Sequence, residues 1–213
     1  MKLNDTWETH IKNNGADFVR FVDISSLPEE ITDGCTCAVF FGKALTREYL
    51  RDIRDGRKPA RQEFGNTERS MDALADKLAE KLTSEGYKSI SKIKSPRLPH
   101  KTIARLAGFG FIGKNTLLVN EDYGCAVVLG KVLTDAPFEV TQPRPIEPQC
   151  GDCGVCADIC PTKALRGKMW SITTRREEML ERKLCSPCLK CMVGCPYTER
   201  YIEGVIPSAI QLF

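Results

Sequence analysis

No stretch of this 213-residue chain reaches the roughly 18 consecutive apolar residues that a membrane-spanning helix needs. The N-terminal segment MKLNDTWETHIKNNGADF has no apolar run behind its first basic residue, which argues against a secretory signal. Histidine occurs only twice, at His10 and His100, and aromatic residues make up 8% of the chain. Neither sign of charge dominates, with 31 Lys and Arg against 28 Asp and Glu. Net charge therefore names no nucleic-acid or membrane partner. Even the most basic stretch, Arg51 to Arg61, contains Asp52 and Asp55 and reads as a solvated loop or helix face. The expectation is a cytoplasmic protein with reduced thiols.

What the chain has in excess is cysteine, eleven residues in all. In a reducing compartment that usage argues for metal ligation rather than disulfides. Eight of the eleven lie between Cys150 and Cys195 in a repeated spacing. Cys150, Cys153, Cys156 and Cys160 form C-x2-C-x2-C-x3-C before Pro161; Cys185, Cys188, Cys191 and Cys195 repeat it before Pro196. Bacterial ferredoxins hold two [4Fe–4S] clusters with this run. Three thiolates at two-residue intervals wrap one cubane, while the fourth leads into a helix and serves the other. The spacing predicts Cys150, Cys153, Cys156 and Cys195 on one cluster and Cys160, Cys185, Cys188 and Cys191 on the second. Gly151, Gly154 and Gly194 leave room for backbone amides near the sulfides. Zinc is the rival, but a zinc ribbon needs only paired C-x2-C units. Cys35, Cys37 and Cys125 stand outside the pattern. Cys37 and Cys125 open apolar runs and read as small buried hydrophobes, with a redox or ligand role as the alternative.

The segment Asp135 to Gln149 carries Pro137, Pro143, Pro145 and Pro148, so it reads as an extended connector. It divides an α/β (α+β) domain over residues 1–142 from a ferredoxin-like domain over 143–200, with a tail over 201–213. In the first domain, Ala38 to Phe41 reads as a buried strand. Met71, Leu74, Ala75, Leu78, Ala79 and Leu82 form one helical stripe within residues 67–85, closed by Gly86. Tyr87 to Ile93 suits a strand and Thr102 to Ala107 a helix. Leu117 to Val119 and Cys125 to Leu133 read as two further strands.

Gly108, Gly110 and Gly113 spell G-x-G-x-x-G, the dinucleotide fingerprint, but here a helix precedes the glycines and a strand follows. The glycines still mark a tight backbone path or a surface that a cofactor approaches. Lys114 and Asn115, next in the chain, are candidate donors to a bound cofactor; a plain helix-to-strand turn is the alternative. His100 and Lys101 open the helix that leads into this segment. An imidazole titrates near neutral pH and is a candidate proton donor in a reduction, or else a hydrogen-bonded structural residue. His10 lies in a polar segment and is expected to be exposed.

The stretch His100 to Pro137 includes AGFGFIGKN (Ala107–Asn115), the Tyr123–Gly124 pair and Leu133-Thr134-Asp135 ahead of the cysteines. It resembles the core of the epoxyqueuosine reductase family, relatives of the corrinoid-dependent reductive dehalogenases. The resemblance covers roughly residues 95–200. It implies a nitroreductase-like domain of cobalamin-reductase type that holds a cobalamin beside the ferredoxin-like module. Electrons would pass from a redox partner protein through the clusters to that cofactor, and on to a small-molecule or corrinoid substrate. Flavin is the alternative second cofactor. Two other functions stand beside this one: a non-enzymatic electron carrier or reductive activator, and epoxyqueuosine reduction on tRNA. A bare ferredoxin has no need of the ~140 residues that come first. Transfer RNA is not expected as a partner, because Lys and Arg are scattered rather than gathered on one face. Residues 88–100 also hold no Asp or Glu, where the family places its proton-donating aspartate.

Overall fold

The apolar run around Ala38 becomes the centre of a sheet in the computed structural model, which describes residues 2–91 and 98–205. Strand β2 (Cys37–Ala44) is buried at six successive positions, so both of its faces are covered. It pairs antiparallel with β1 (Phe18–Asp23) and is also bonded to β6 (Val127–Thr134), which pairs antiparallel with β3 (Ser89–Ser91). The sheet order is β1-β2-β6-β3. The fold is mixed α/β.

Among the described residues, the chain forms two discontinuous compact units rather than a single cut near residue 142. The first comprises residues 2–44, 63–91, 98–109 and 128–145. Helix α1 (Leu3–Asn13) packs on β1, α4 (Glu63–Ser84) on β2 and β3, and α5 (His100–Leu106) on β1 and β2. A four-residue helix, α2 (Glu29–Thr32), joins β1 to β2. All six residues of the expected α4 stripe are buried. Apolar side chains at i, i+3 and i+4 line one side of a helix, and burying that side is what stabilises it. Lys131 of β6 is buried and donates to the Leu98 carbonyl, which ties the entry of α5 to the sheet.

The connector after β6 has no helix, as its prolines require. It is tied down all the same: Phe138 packs on Trp7 and Phe21, and the Thr141 amide donates to Phe21 O at 3.0 Å. His10, expected to be exposed, is half-buried and stands edge-on to Trp7.

The second unit comprises residues 45–62, 110–127 and 146–205. It holds α3 (Arg47–Arg54), the hairpin β4 (Phe111–Ile112) and β5 (Leu118–Val119), and three helices within and after the cysteine segment. These are α6 (Val155–Asp158), α7 (Lys190–Val193) and α8 (Pro196–Glu203). The basic stretch Arg51–Arg61 is mostly exposed, as expected of a solvated face, and α3 packs on α7 and α8 with Leu50 buried. Arg51 donates to the Ile202 carbonyl at 2.8 Å and Arg54 pairs with Glu203, which satisfies the C-terminal end of α8. Helix α8 carries through position 201, where a tail was expected to start. Residues 92–97 and the tail from residue 206 lie outside the described residues, and so do the last two positions of the expected strand, Lys92 and Ile93. No described helix is long and apolar enough to cross a membrane.

Candidate functional site

The β4–β5 hairpin closes tightly. Phe111 stands opposite Val119 and Ile112 opposite Leu118. At Gly110 a Cβ would lie 2.1 Å from the Val119 carbonyl oxygen, so only glycine fits there. The Gly113 amide donates to Leu117 O at 2.9 Å, leaving Lys114 and Asn115 at the tip. Their donors go to the cysteine segment. Lys114 Nζ donates to the carbonyls of Gly151 (2.7 Å) and Cys153 (3.0 Å), and its backbone amide to the Cys150 sulfur. Asn115 is buried; its Nδ2 donates to Cys191 O at 3.1 Å and to Cys125 Sγ at 3.2 Å. Its Oδ1 accepts from the Leu117 amide at 3.1 Å.

The eight patterned cysteines all lie in this unit. Burial raises the Cys150 and Cys156 thiols, Cys156 to about 11, and the nearby thiols of Cys153 and Cys195 add to both. Burial likewise pushes Cys191 up to about 12, with contributions from Cys156, Cys188, Cys185 and Cys160. Charges interact this way only at short range. Cys156 and Cys160 also share an apolar cluster with Ala164, Leu165 and Leu180, against which Cys185 and Cys191 pack. Cys153 and Cys188 are exposed. Among the described residues, no three His, Cys, Asp or Glu side chains gather tightly enough to hold a single metal ion.

The fourth cysteine of each half behaves differently from the loop cysteines. Burial raises the Cys160 thiol, yet the Thr162 hydroxyl and the amides of Ala164, Thr162 and Leu165 outweigh it and bring the thiol below its ordinary value. A hydrogen bond from Cys125 lowers Cys195 against its burial, with help from the Tyr197 and Thr198 amides and the Thr198 hydroxyl. Donors aimed at a sulfur favour its thiolate form. Sequence reasoning did not single out Thr198, and it read Cys125 first as a packed hydrophobe, with a redox or ligand role as the alternative. Their only signal is that Tyr123–Gly124 precedes one and Cys195-Pro196 precedes the other.

Of the residues expected to bind a second cofactor, Gly110, Gly113, Lys114 and Asn115 belong to this unit, while His100, Lys101 and Gly108 belong to the first. His100 is the first residue of α5 and, like Lys101, is half-buried. Gly108 follows α5 with a left-handed φ of 58°, and a Cβ there would meet Pro143 at 2.9 Å.

The curated epoxyqueuosine reductase of Xanthomonas campestris is 31% identical over 203 residues, which cover 83% of this chain and 56% of that protein. The chain belongs to the epoxyqueuosine reductase-like family. It spans between 22% and 56% of the length of the curated epoxyqueuosine reductases it matches. No family model matches. Among solved structures, an epoxyqueuosine reductase with a tRNA-Tyr epoxyqueuosine-modified stem loop matches with a TM-score of 0.58 and 19% identity. That match covers 92% of this chain and 65% of that one. A reductive dehalogenase whose structure suggests a mechanism for B12-dependent dehalogenation matches with a TM-score of 0.53 and 20% identity, over 72% and 24% of the two chains. At such identities these likenesses establish shared fold.

Proposed function

We propose that this chain is an iron–sulfur oxidoreductase that carries two [4Fe–4S] clusters on a ferredoxin-like module, together with an α/β unit of nitroreductase-like layout. The observation that carries the reading is the grouping of the eight sulfurs. The thiols of Cys153 and Cys195 act on both Cys150 and Cys156, and those of Cys188, Cys185 and Cys160 act on Cys191, which Cys156 of the first group also reaches. These two quartets are the ligand sets that the spacing pairs across the repeat. A zinc site draws its sulfurs close with bonds of about 2.3 Å, whereas a cubane holds its four further apart. Each cluster, when bound, would accept and release one electron.

The second cofactor rests on kinship. The B12-dependent dehalogenase shares the fold, which favours cobalamin over flavin. The glycines of the G-x-G-x-x-G segment meet the chain's own Pro143, Val119 and Asn115. They supply no open cradle, and no residue of that segment is assigned to a second cofactor. His100 is the proposed acid at the substrate, so His100→Ala should lower turnover and leave iron unchanged.

The substrate is open to tRNA. The scattered basic residues argued against it, but that argument finds no support where a solved relative is bound to a tRNA-Tyr stem loop. The test is to purify the chain without oxygen, count iron and sulfide, and record the spectrum after acid release. Two clusters with a corrinoid band support the reading, and a flavin band moves it to the alternative cofactor. Clusters alone make the protein an electron carrier. Zinc without sulfide sinks it. Retention of tRNA through purification would name the substrate.

A further inference from the structure

The two cysteine loops carry opposite charge. Residues 147–158, which run through the first loop, hold Glu147, Asp152 and Asp158 and no lysine or arginine. Residues 182–190, which run through the second, hold Arg182, Lys183 and Lys190 and no acid. These three cations are exposed, and among the described residues none of them enters an ion pair or a side-chain hydrogen bond. Nearby Arg166, Lys168 and Arg175, by contrast, are paired with Glu181, Glu178 and Glu177. Cys185 and Cys191 pack on one apolar cluster, which draws both ends of the second loop to the same place and sets the free cations around it. Among them the chain exposes Cys188, a proposed cluster ligand, and leaves Leu184 50% exposed.

We infer that the second loop is the port where an acidic one-electron carrier protein docks, held by Arg182, Lys183 and Lys190, and hands its electron to the protein. The inference rests on the two-cluster reading above and adds to it the place and the charge of the partner. Electron-transfer encounters use small interfaces, so a few free charges around an exposed sulfur serve them without a broad apolar face. The free cations steer an acidic carrier to the second loop, and the acids of the first loop turn it away. Nucleic acid is the other polyanion that such charges attract. Three cations neutralise few phosphates, however, and an exposed ligand sulfur serves an electron rather than a phosphate backbone. In the step itself the carrier is oxidised by one electron and the cluster of Cys160, Cys185, Cys188 and Cys191 is reduced by one. No bond forms or breaks.

The experiment takes anaerobic protein with its iron and sulfide counted, and an acidic plant-type [2Fe–2S] ferredoxin as the probe. Binding is measured by titration calorimetry, and transfer by rapid mixing with the reduced probe. The unsubstituted chain should bind at about 20 mM salt and at least about tenfold more weakly at about 500 mM, where charges are screened. A triple variant, Arg182→Gln with Lys183→Gln and Lys190→Gln, should keep its iron and sulfide, and its binding and transfer rate should both fall at least about tenfold. The paired variant Asp152→Asn with Asp158→Asn should bind no more weakly than the unsubstituted chain. If the triple variant loses iron, the three single substitutions are read in its place. Absence of binding at low salt, binding indifferent to the three cations, or binding without transfer overturns the inference and leaves the two-cluster reading intact. A tRNA stem loop that binds more tightly than the ferredoxin at the same three residues assigns the surface to RNA and also overturns it. Unsubstituted protein without two clusters overturns both.

Discussion

The two halves of the cysteine repeat share one spacing but are held by different forces. The first loop, Cys150 to Cys156, is fastened by polar ties. Lys114 bonds two of its carbonyls, and Tyr197 Oη donates to Gln149 Oε1 at 2.8 Å just ahead of it. The second loop, Cys185 to Cys191, receives one bond from Asn115 and otherwise packs Cys185 and Cys191 against Cys160, Ala164, Leu165 and Leu180. The backbone paths differ too. The first loop turns left-handed at Gly151, with φ 46°, and the second at Leu189, with φ 61°. Spacing decides which sulfurs can share a cluster, while the surroundings decide how firmly each loop is held and how readily each sulfur carries charge.

The largest effect should come from the residue that both halves use. Cys156 belongs to the first quartet, yet its side chain lies in the apolar cluster that supports the second. Cys156→Ser should cost half the bound iron and sulfide and sharply lower the melting temperature, because ligand binding and folding are coupled in such modules. Retention of all the iron would mean that the quartets are wrongly drawn. Next in size is Gly124→Ala. Its backbone is left-handed at φ 58°, and the new methyl would overlap Thr198 backbone atoms at 2.3 and 2.4 Å. Overlap with backbone cannot be relieved by rotating a side chain, so the loss should be about 3 kcal/mol or more by denaturant unfolding. The damage should centre on Cys195, so the first cluster should become labile before the second.

Much of this architecture was legible in the chain because it obeys simple periods. The α4 stripe follows helical spacing, the run at Ala38 is short and wholly apolar, and the cysteines carry their own count. What sequence could not show is which segments fold together. Residues 45–62 and 110–127 join the cysteine unit, though they lie well ahead of it in the chain. Such long-range assembly leaves no local pattern. Helix α1 was missed for a related reason. It buries only Trp7 and Ile11, too thin a stripe to stand out in a polar segment. Lys114 and Asn115 were legible as unusual but not as to purpose. A turn bearing two donors looks the same whether it meets a phosphate or another loop's carbonyls. Cys125 read as a packed hydrophobe, and it is buried as expected, but its hydrogen bonds depend on Thr198, far along the chain.

Lys114→Met tests the polar fastening of the first loop. The substitution keeps the length of the side chain and removes two charge-assisted hydrogen bonds at a partly exposed site. The cost should be about 1–2 kcal/mol, below the range for such bonds when buried. In air the first cluster should bleach faster than in the unsubstituted protein while the second keeps its rate. Equal bleaching of both would mean that the loop is held by its cluster and not by lysine.

The smallest effect separates the two turns. Nothing lies within 4 Å of a Cβ built at Gly151, so an alanine there meets no steric obstacle and carries only the strain of its left-handed backbone. That strain is about 1 kcal/mol. The second loop already bears a strain of this kind at Leu189, so the repeat tolerates it. Gly151→Ala should therefore lower stability by about 1 kcal/mol and leave iron and sulfide at their full amounts. If iron is lost instead, backbone strain is not the reason for the glycine. Gly151 then keeps the chain close enough for its amides to reach the cluster sulfides, a demand that Ser186, at the matching place in the second loop, does not face.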